Sequence, residues 1–190
     1  MVTSRALYLA FLGLLAVERI AELVLSKVNR RIAFQNGAFE VGQAHYRVMA
    51  AMHSLFFVSC AAEVLVFDRA FPGALGFAAL GFALLAQALR YSAVFALGRR
   101  WNVRIIVWPL APPVTRGPYR FVRHPNYAAV VIELASIPLI HGAFLTAVAF
   151  SIGNAAILAT RIREEERALG ARYADEFRNR PRMIPRLFGG

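Results

Sequence analysis

Arg123, His124 and Asn126 crowd around Pro125 in the stretch Arg-His-Pro-Asn-Tyr at residues 123–127, between Gly117-Pro118-Tyr119 and an apolar run that could enter a bilayer. The chemistry such side chains can do is to bind an anion or a polar head group. Pro125 fits the first turn of a helix, where its missing N–H costs nothing. The helix it opens aims free N–H groups and a positive dipole end at a bound anionic or polar group. Anchoring in a membrane does not require that arrangement; a site for a charged cofactor at the membrane surface does.

Further chemistry-bearing residues lie inside apolar runs, where an ionisable group is costly and usually faces a bundle interior, a cavity or a partner. Glu18 and Glu22 are four apart on one helix face with Arg19 beside them, and Glu63, Gln87, Arg90 and Glu133 sit in later runs. Structural ion pairs, for instance Arg90 with a glutamate, would fix helix register. Glu133 follows His124 by nine residues, roughly 13 Å along a helix, and could equally line a cavity beneath the polar mouth. His45 and His53 flank and enter the second run, positions where a lone histidine is more often a packing or interfacial residue than a ligand. No His/Asp/Glu cluster has metal-ligand spacing, so no metal is expected, and Cys60, the single cysteine, excludes an intramolecular disulfide. Neither a Gly-rich nucleotide motif nor a Ser-centred nucleophile motif is present.

The elements that must position these residues follow from the hydropathy. Five helical spans are expected, at about Ala6–Leu25, Tyr46–Phe67, Ala74–Leu97, Tyr127–Ile140 and Ala143–Thr160. Each is near the roughly 17–25 residues that cross a bilayer, save the short fourth. The chain of 190 residues is 58% hydrophobic, above the roughly 45–50% of soluble domains. No polar or low-complexity linker divides it, so one membrane domain over residues 1–190 is expected. The net charge of +11 could suggest nucleic acid, but 18 of the 22 basic residues fall in three segments that five crossings would place on one face. The positive-inside rule makes that face cytoplasmic, with the N-terminus outside and the C-terminus inside, and no nucleic-acid partner is expected. Glu18, Arg19 and Glu22 interrupt the first span and no small-residue cleavage site follows, so it is expected to be a retained helix rather than a signal peptide.

The segment after the third span, Gly98-Arg99-Arg100-Trp101-Asn102 through Trp108, mixes cationic, aromatic and β-branched residues. Its tryptophans could be interfacial anchors or ligand contacts; Asn102 is the better candidate for a polar contact. After the fifth span, Glu164–Glu166 could be a solvated helix face laced with ion pairs.

Taken together, these segments resemble the isoprenylcysteine carboxyl methyltransferase family, part of a wider group of membrane methyltransferases that includes the phospholipid methyltransferases. The resembling pieces are Gly117-Pro118-Tyr119, Arg123-His124-Pro125-x-Tyr127, Arg161-x-x-Glu164-Glu165 and Pro181-Arg182-x-x-Pro185. The first half is more similar to a small bacterial branch associated with methylating polyketide-derived phenolic lipids. That likeness rests on Ala21-Glu22-x-x-x-Ser26-x-x-Asn29-Arg30, His45-Tyr46 and Gly98-Arg99-Arg100-Trp101-Asn102.

The resemblance implies an all-α polytopic bundle in which residues 1–97 supply three spans and 98–190 the cofactor-binding and catalytic half, completed by a cytoplasmic C-terminal helix. It implies S-adenosylmethionine as methyl donor, S-adenosylhomocysteine as product, and a bacterial inner membrane as location. Carried onto this chain, the cofactor residues are Gly117, Pro118, Tyr119, Arg123, His124, Pro125, Tyr127, Arg161, Glu164 and Glu165. Arg123, His124 and the helix start suit the cofactor carboxylate, Glu164 or Glu165 its ammonium or ribose, and Tyr119 and Tyr127 its adenine or sulfonium region. The catalytic candidates are Arg123, His124 and Glu133, with His124 or Glu133 as a base if the acceptor is a phenol. Trp101, Asn102, Glu22 and Arg90 are the substrate candidates. The expected acceptor is a lipophilic prenyl or polyketide-type molecule, methylated on a carboxyl or phenolic oxygen after lateral access from membrane lipid. Competing readings are a phospholipid N-methyltransferase, an NADPH-dependent sterol-type reductase and a non-catalytic membrane scaffold.

Overall fold

The third apolar run turns its small residues inward: Gly76, Ala79, Ala83, Ala86, Ala93 and Ala96 form a buried stripe at three- to seven-residue spacing. Phe77, Phe82, Leu84, Leu85 and Phe95 point outward and are 55–79% exposed. Large apolar side chains outside and small ones inside suit a bundle that packs backbones closely in lipid, where burial between helices gains no hydrophobic free energy over contact with acyl chains. The computed structural model describes residues 2–109 and 111–185; the His45 side chain and Arg186 lie outside the described residues.

Five helices follow in order: α1 Val2–Gln35, α2 Gln43–Val66, α3 Ala74–Leu97, α4 Pro125–Leu139 and α5 Phe144–Glu176. They coincide with the five expected spans. α2, α3 and α5 are long and apolar enough to cross a membrane, and α4 is a shorter apolar helix. α1 exposes Leu7, Leu14, Val17, Ile20 and Val24. The membrane bundle expected from sequence is therefore what forms, with one addition. Strand β1 (Phe39–Val41) pairs antiparallel with β2 (Ile105–Val107), Phe39 opposite Val107 and Val41 opposite Ile105. The β-branched run Ile105-Ile106-Val107 suits a strand, and the ribbon ties the α1–α2 connection to the α3–α4 segment. The expected C-terminal helix is a continuation of α5, broken at Gly170, whose φ of 74° and ψ of −169° are not helical. Glycine reaches that backbone region without a Cβ penalty.

Two ends result. At one, Glu63 of α2 accepts from the α5 backbone at Leu145 N (3.1 Å) and Thr146 N (2.7 Å), from Thr146 Oγ1 (2.8 Å) and from Arg69 (3.0 Å). A carboxylate from another helix thus caps the orphan donors of α5 and complements its dipole. Arg5 pairs with Asp68 at 2.6 Å at the same end, so Arg5 and Arg69, two basic residues outside the three basic segments, share an end. A buried apolar cluster including Tyr8, Leu12, Phe56, Val64, Leu134 and Ile137 fills the bundle next to it. At the other end lie the ribbon, the start of α4 and the C-terminal segment.

Replacing the cap tests this anchoring. Glu63→Gln puts an amide where four donors converge and should cost about 2–3 kcal/mol, read as a lowered midpoint of thermal unfolding in detergent; an unchanged midpoint would contradict the role assigned to this carboxylate.

Candidate active site

A cavity of about 680 Å³ opens at the second end, and every helix contributes to its wall. The start of α4 forms one side. Gly117, with φ +60°, lets the short helical turn Gly117–Arg120 pass against α3, where a Cβ would come within 3.0 Å of the Ala96 Cβ. Pro118 occupies the first turn and Pro125 opens α4. Gly117, Pro118 and Pro125 do not line the cavity but set the positions of Tyr119, Arg123, His124 and Tyr127, which do. Burial, with the charge of Glu165 adding to it, holds the Tyr119 phenol well above its ordinary pKa. It therefore stays a protonated donor.

Arg123 and His124 are engaged chiefly in fastening the chain's end over the cavity. Their backbone N–H groups donate to the carbonyls of Pro181 (2.9 Å) and Arg182 (2.8 Å). The Arg123 Nε donates to the Arg180 carbonyl at 2.7 Å. His124 Nε2 lies 3.1 Å from Glu166 Oε1, and Arg182 pairs with the same carboxylate at 2.7 Å. Glu166, not singled out in the sequence, is thus the centre of this strap. Tyr173 and Phe177, 4.6 Å apart between ring centroids, pack beneath it and line the cavity.

The free polar capacity lies on α5. Arg161 is 3% exposed; its Nε donates to Tyr127 Oη (2.7 Å) and its Nη2 to the Val103 carbonyl (2.7 Å). Its Nη1 is buried with no partner among the described residues. One turn on, Glu165 accepts the Tyr127 hydroxyl and faces the cavity. Glu164 points away: it pairs at 3.3 Å with the exposed Arg167 and is not part of the wall. The expected choice between Glu164 and Glu165 falls geometrically to Glu165.

Trp101 is 2% exposed and, among the described residues, its Nε1 has no partner, as is true of Trp108 Nε1. Asn102 also borders the cavity, with its side-chain oxygen engaged twice: it accepts from Ser26 Oγ (2.8 Å) and the Arg104 N–H (3.0 Å), and its Nδ2 donates to the Ser26 carbonyl (2.9 Å). Asn29 donates to the Trp101 carbonyl at 2.8 Å. The α1 pattern Ser26…Asn29 and the segment Trp101-Asn102 are therefore two sides of one joint.

Deeper in, α1, α3 and α4 bring Glu18, Arg19, Glu22, Arg90 and Glu133 together. Arg19 approaches Glu22 (2.6 Å), Glu133 (3.4 Å) and Glu18 (3.6 Å), and Arg90 approaches Glu133 (3.2 Å) and Glu22 (3.6 Å). Glu22 and Arg90, named as substrate candidates from sequence, line the cavity; Glu133 stands in a small recess with Arg19, Arg90 and His53. Of the two readings open for Glu133, ion-pair partner and cavity liner, the contacts with Arg19 and Arg90 match the first. Among the described residues, no group of three or more His, Cys, Asp or Glu side chains is arranged to hold a metal.

Residues 79–171 match the sequence profile of the isoprenylcysteine carboxyl methyltransferase (ICMT) family. The chain is also 42% identical over 160 residues to the uncharacterized protein YpbQ of Bacillus subtilis, covering 83% of this chain and 94% of that one. The chain belongs to the isoprenylcysteine carboxyl methyltransferase family. It is similar as well to a protein of Haemophilus influenzae, at 27% identity over 164 residues (85% of this chain, 93% of the relative). Protein-S-isoprenylcysteine O-methyltransferase of Schizosaccharomyces pombe is 30% identical over 110 residues, 56% of this chain and 46% of that protein. Membership makes this chain a membrane methyltransferase. The matched ICMT region runs from within α3 to the Gly170 break and holds Trp101, Tyr119, Arg123–Tyr127, Arg161 and Glu165, whereas α1 and α2 lie outside it.

The strap predicts a protease signature. Glu166→Gln removes the charge that holds Arg182 and His124, so trypsin should cut after Arg178 and Arg182 several-fold faster than in the wild type; equal rates would show that Glu166 does not secure this segment.

Proposed function

We propose that the chain is an S-adenosylmethionine-dependent O-methyltransferase that modifies a carboxyl or hydroxyl group of a lipophilic acceptor at the cytoplasmic face of a membrane. The observation that carries this reading is the set of buried, unpartnered donors on the cavity wall, Arg161 Nη1 foremost and Trp101 Nε1 opposite it. A buried guanidinium nitrogen without a partner is costly, and an anionic group supplies one.

The donor set fits the cofactor's functional groups. Arg161 would hold the carboxylate, and Glu165 the ammonium group. Tyr119, Tyr173 and Phe177 offer aromatic faces to the adenine. When bound, S-adenosylmethionine supplies a methyl group on a sulfonium centre. The protein's own part is to fix the acceptor oxygen in line with that methyl group and to keep water out. The C-terminal strap and the β1–β2 ribbon suit that second task.

A lipophilic acceptor is supported by the apolar part of the same cavity wall. Ile20 and Leu23 of α1 and Met49 and Phe57 of α2 belong to it, and Ile20 and Leu23 are also 61% and 48% exposed on the bundle's outer, apolar face. An acyl, prenyl or polyketide chain can therefore pass from the bilayer between α1 and α2 to the polar end. The concentration of basic residues at that end supports a cytoplasmic orientation by the positive-inside rule, in keeping with an inner-membrane location.

Trp101 and Trp108 are the only tryptophans, and both line the cavity, so their fluorescence reports on it. S-adenosylhomocysteine should change the emission of detergent-purified protein at micromolar concentration. Arg161→Gln should weaken this binding by about 10- to 100-fold, the loss of one charge-assisted hydrogen bond. A well-folded wild type with neither a fluorescence change nor a calorimetric signal would overturn the cofactor reading.

A further inference from the structure

Asn154 of α5 is 3% exposed and lines the cavity. Among the described residues its side-chain amide has no hydrogen-bond partner. It follows Thr146, which Glu63 caps at one end of the bundle, by eight residues and precedes Arg161 at the other by seven. Those separations are about 12 Å and about 10 Å of helix, so a bare amide sits deep in the apolar stretch of α5.

An asparagine at such a depth ordinarily bonds to a neighbouring helix and acts as packing glue. Here neither α2 nor α4, the helices packed on α5, supplies a partner. The polar residues of α2 on the same wall behave differently. Ser54 Oγ donates to the Ala50 carbonyl, and His53 Nδ1 bonds the Met49 carbonyl, each within its own helix. A leucine at position 154 would fill the space without the desolvation cost of an unsatisfied amide.

Its place on α5 says which ligand it faces. Asn154, Leu158, Arg161 and Glu165 recur at spacings of four, three and four and all line the cavity, as one helix face must. Arg161 and Glu165 serve the cofactor on the reading above, and Tyr173 and Phe177, offered to the adenine, follow them. Asn154 lies to the other side of Arg161, with Leu158 between, and shares the wall with Met49, Phe57 and Val130. That is the part of the cavity left to the acceptor's chain. An amide has no charge to offset the desolvation of an ion, so the group it suits is uncharged. With no partner fixing the amide, Nδ2 is free to donate to an oxygen.

We propose that Asn154 is a specificity residue for the acceptor's chain. Its Nδ2 donates to an uncharged oxygen, carbonyl or hydroxyl, set partway along that chain and away from the oxygen that is methylated. This rests on the cofactor reading, which gives the Arg161 end of the cavity to the methyl donor. A chain lacking that oxygen enters the same space but leaves the amide bare.

Binding tests this without turnover. Methyl stearate and a series of methyl oxostearates, with the carbonyl moved along the chain, are titrated against tryptophan emission in detergent with S-adenosylhomocysteine present. A carbonyl can only accept, so any gain reports donation to it. One narrow range of carbonyl positions should bind wild type about three- to tenfold tighter than methyl stearate, the value of one neutral hydrogen bond. Asn154→Leu should remove that gain while S-adenosylhomocysteine affinity stays at the wild-type value, which also shows that the variant is folded. No gain in wild type, a gain independent of carbonyl position, or a gain that survives Asn154→Leu overturns the subsite although the cofactor reading stands. Weakened S-adenosylhomocysteine binding by Asn154→Leu at an unchanged unfolding midpoint overturns it as well, because the amide then belongs to the cofactor. Absence of S-adenosylhomocysteine binding by wild type overturns both readings.

Discussion

The guanidinium of Arg161 is buried in a bundle that offers almost no water, and each of its N–H groups must find an acceptor or cost free energy. Two of them do so on other elements, the Tyr127 hydroxyl at the start of α4 and the Val103 carbonyl between α3 and α4. Those bonds fix α5 against the polar mouth of the bundle and bring Glu165 to the Tyr127 hydroxyl. The third nitrogen is left over. The geometry that builds the cavity wall therefore also leaves a positive group inside it, and the proposed placement of an anionic cofactor group rests on that remainder.

Around this point the bundle separates two solvents. Its outer face is apolar and its small residues lie inside, the reverse of a soluble core. Its two polar regions do different work. At one end Glu63 closes the orphan donors of α5, which is enough to hold that helix start and leaves no comparable cavity. At the other, Glu18, Glu22 and Glu133 share Arg19 and Arg90, and the cavity wall beside them includes the apolar Ile20, Leu23, Met49 and Phe57. On the proposed reading, cofactor and acceptor share this one cavity.

Much of this was legible in the chain. Hydropathy placed the five helices, because a membrane helix must be apolar along its length. Pro125 marked the start of α4, and the Arg-His-Pro and Arg161…Glu165 segments pointed to one site. What stayed hidden depended on helix rotation and on distant partners. Glu164, Glu165 and Glu166 follow one another at about 100° around α5, so one pairs outward with Arg167, one faces the cavity and one holds His124 and Arg182. The buried stripe Leu158, Arg161 and Ile162, continued one turn to Glu165, was the available signal for that phase. Sequence left Glu133 open between an ion pair and a cavity wall, because its partners Arg19 and Arg90 come from two other helices. Arg123 and His124 look like free anion binders until the C-terminal carbonyls and Glu166 are seen to occupy them. Three-residue strands such as Ile105–Val107 give almost no periodicity to read.

The central claim is that the Arg161 cavity presents a methyl donor to a membrane-dissolved acceptor. The most direct measurement is transfer of tritium from methyl-labelled S-adenosylmethionine into organic-extractable lipid, using purified protein in vesicles of bacterial lipid extract supplemented with para-nonylphenol. The account predicts label in the organic phase with wild type and its loss with Arg161→Gln. Label in the organic phase that is unchanged by Arg161→Gln, or none from wild type that binds S-adenosylhomocysteine, would contradict it.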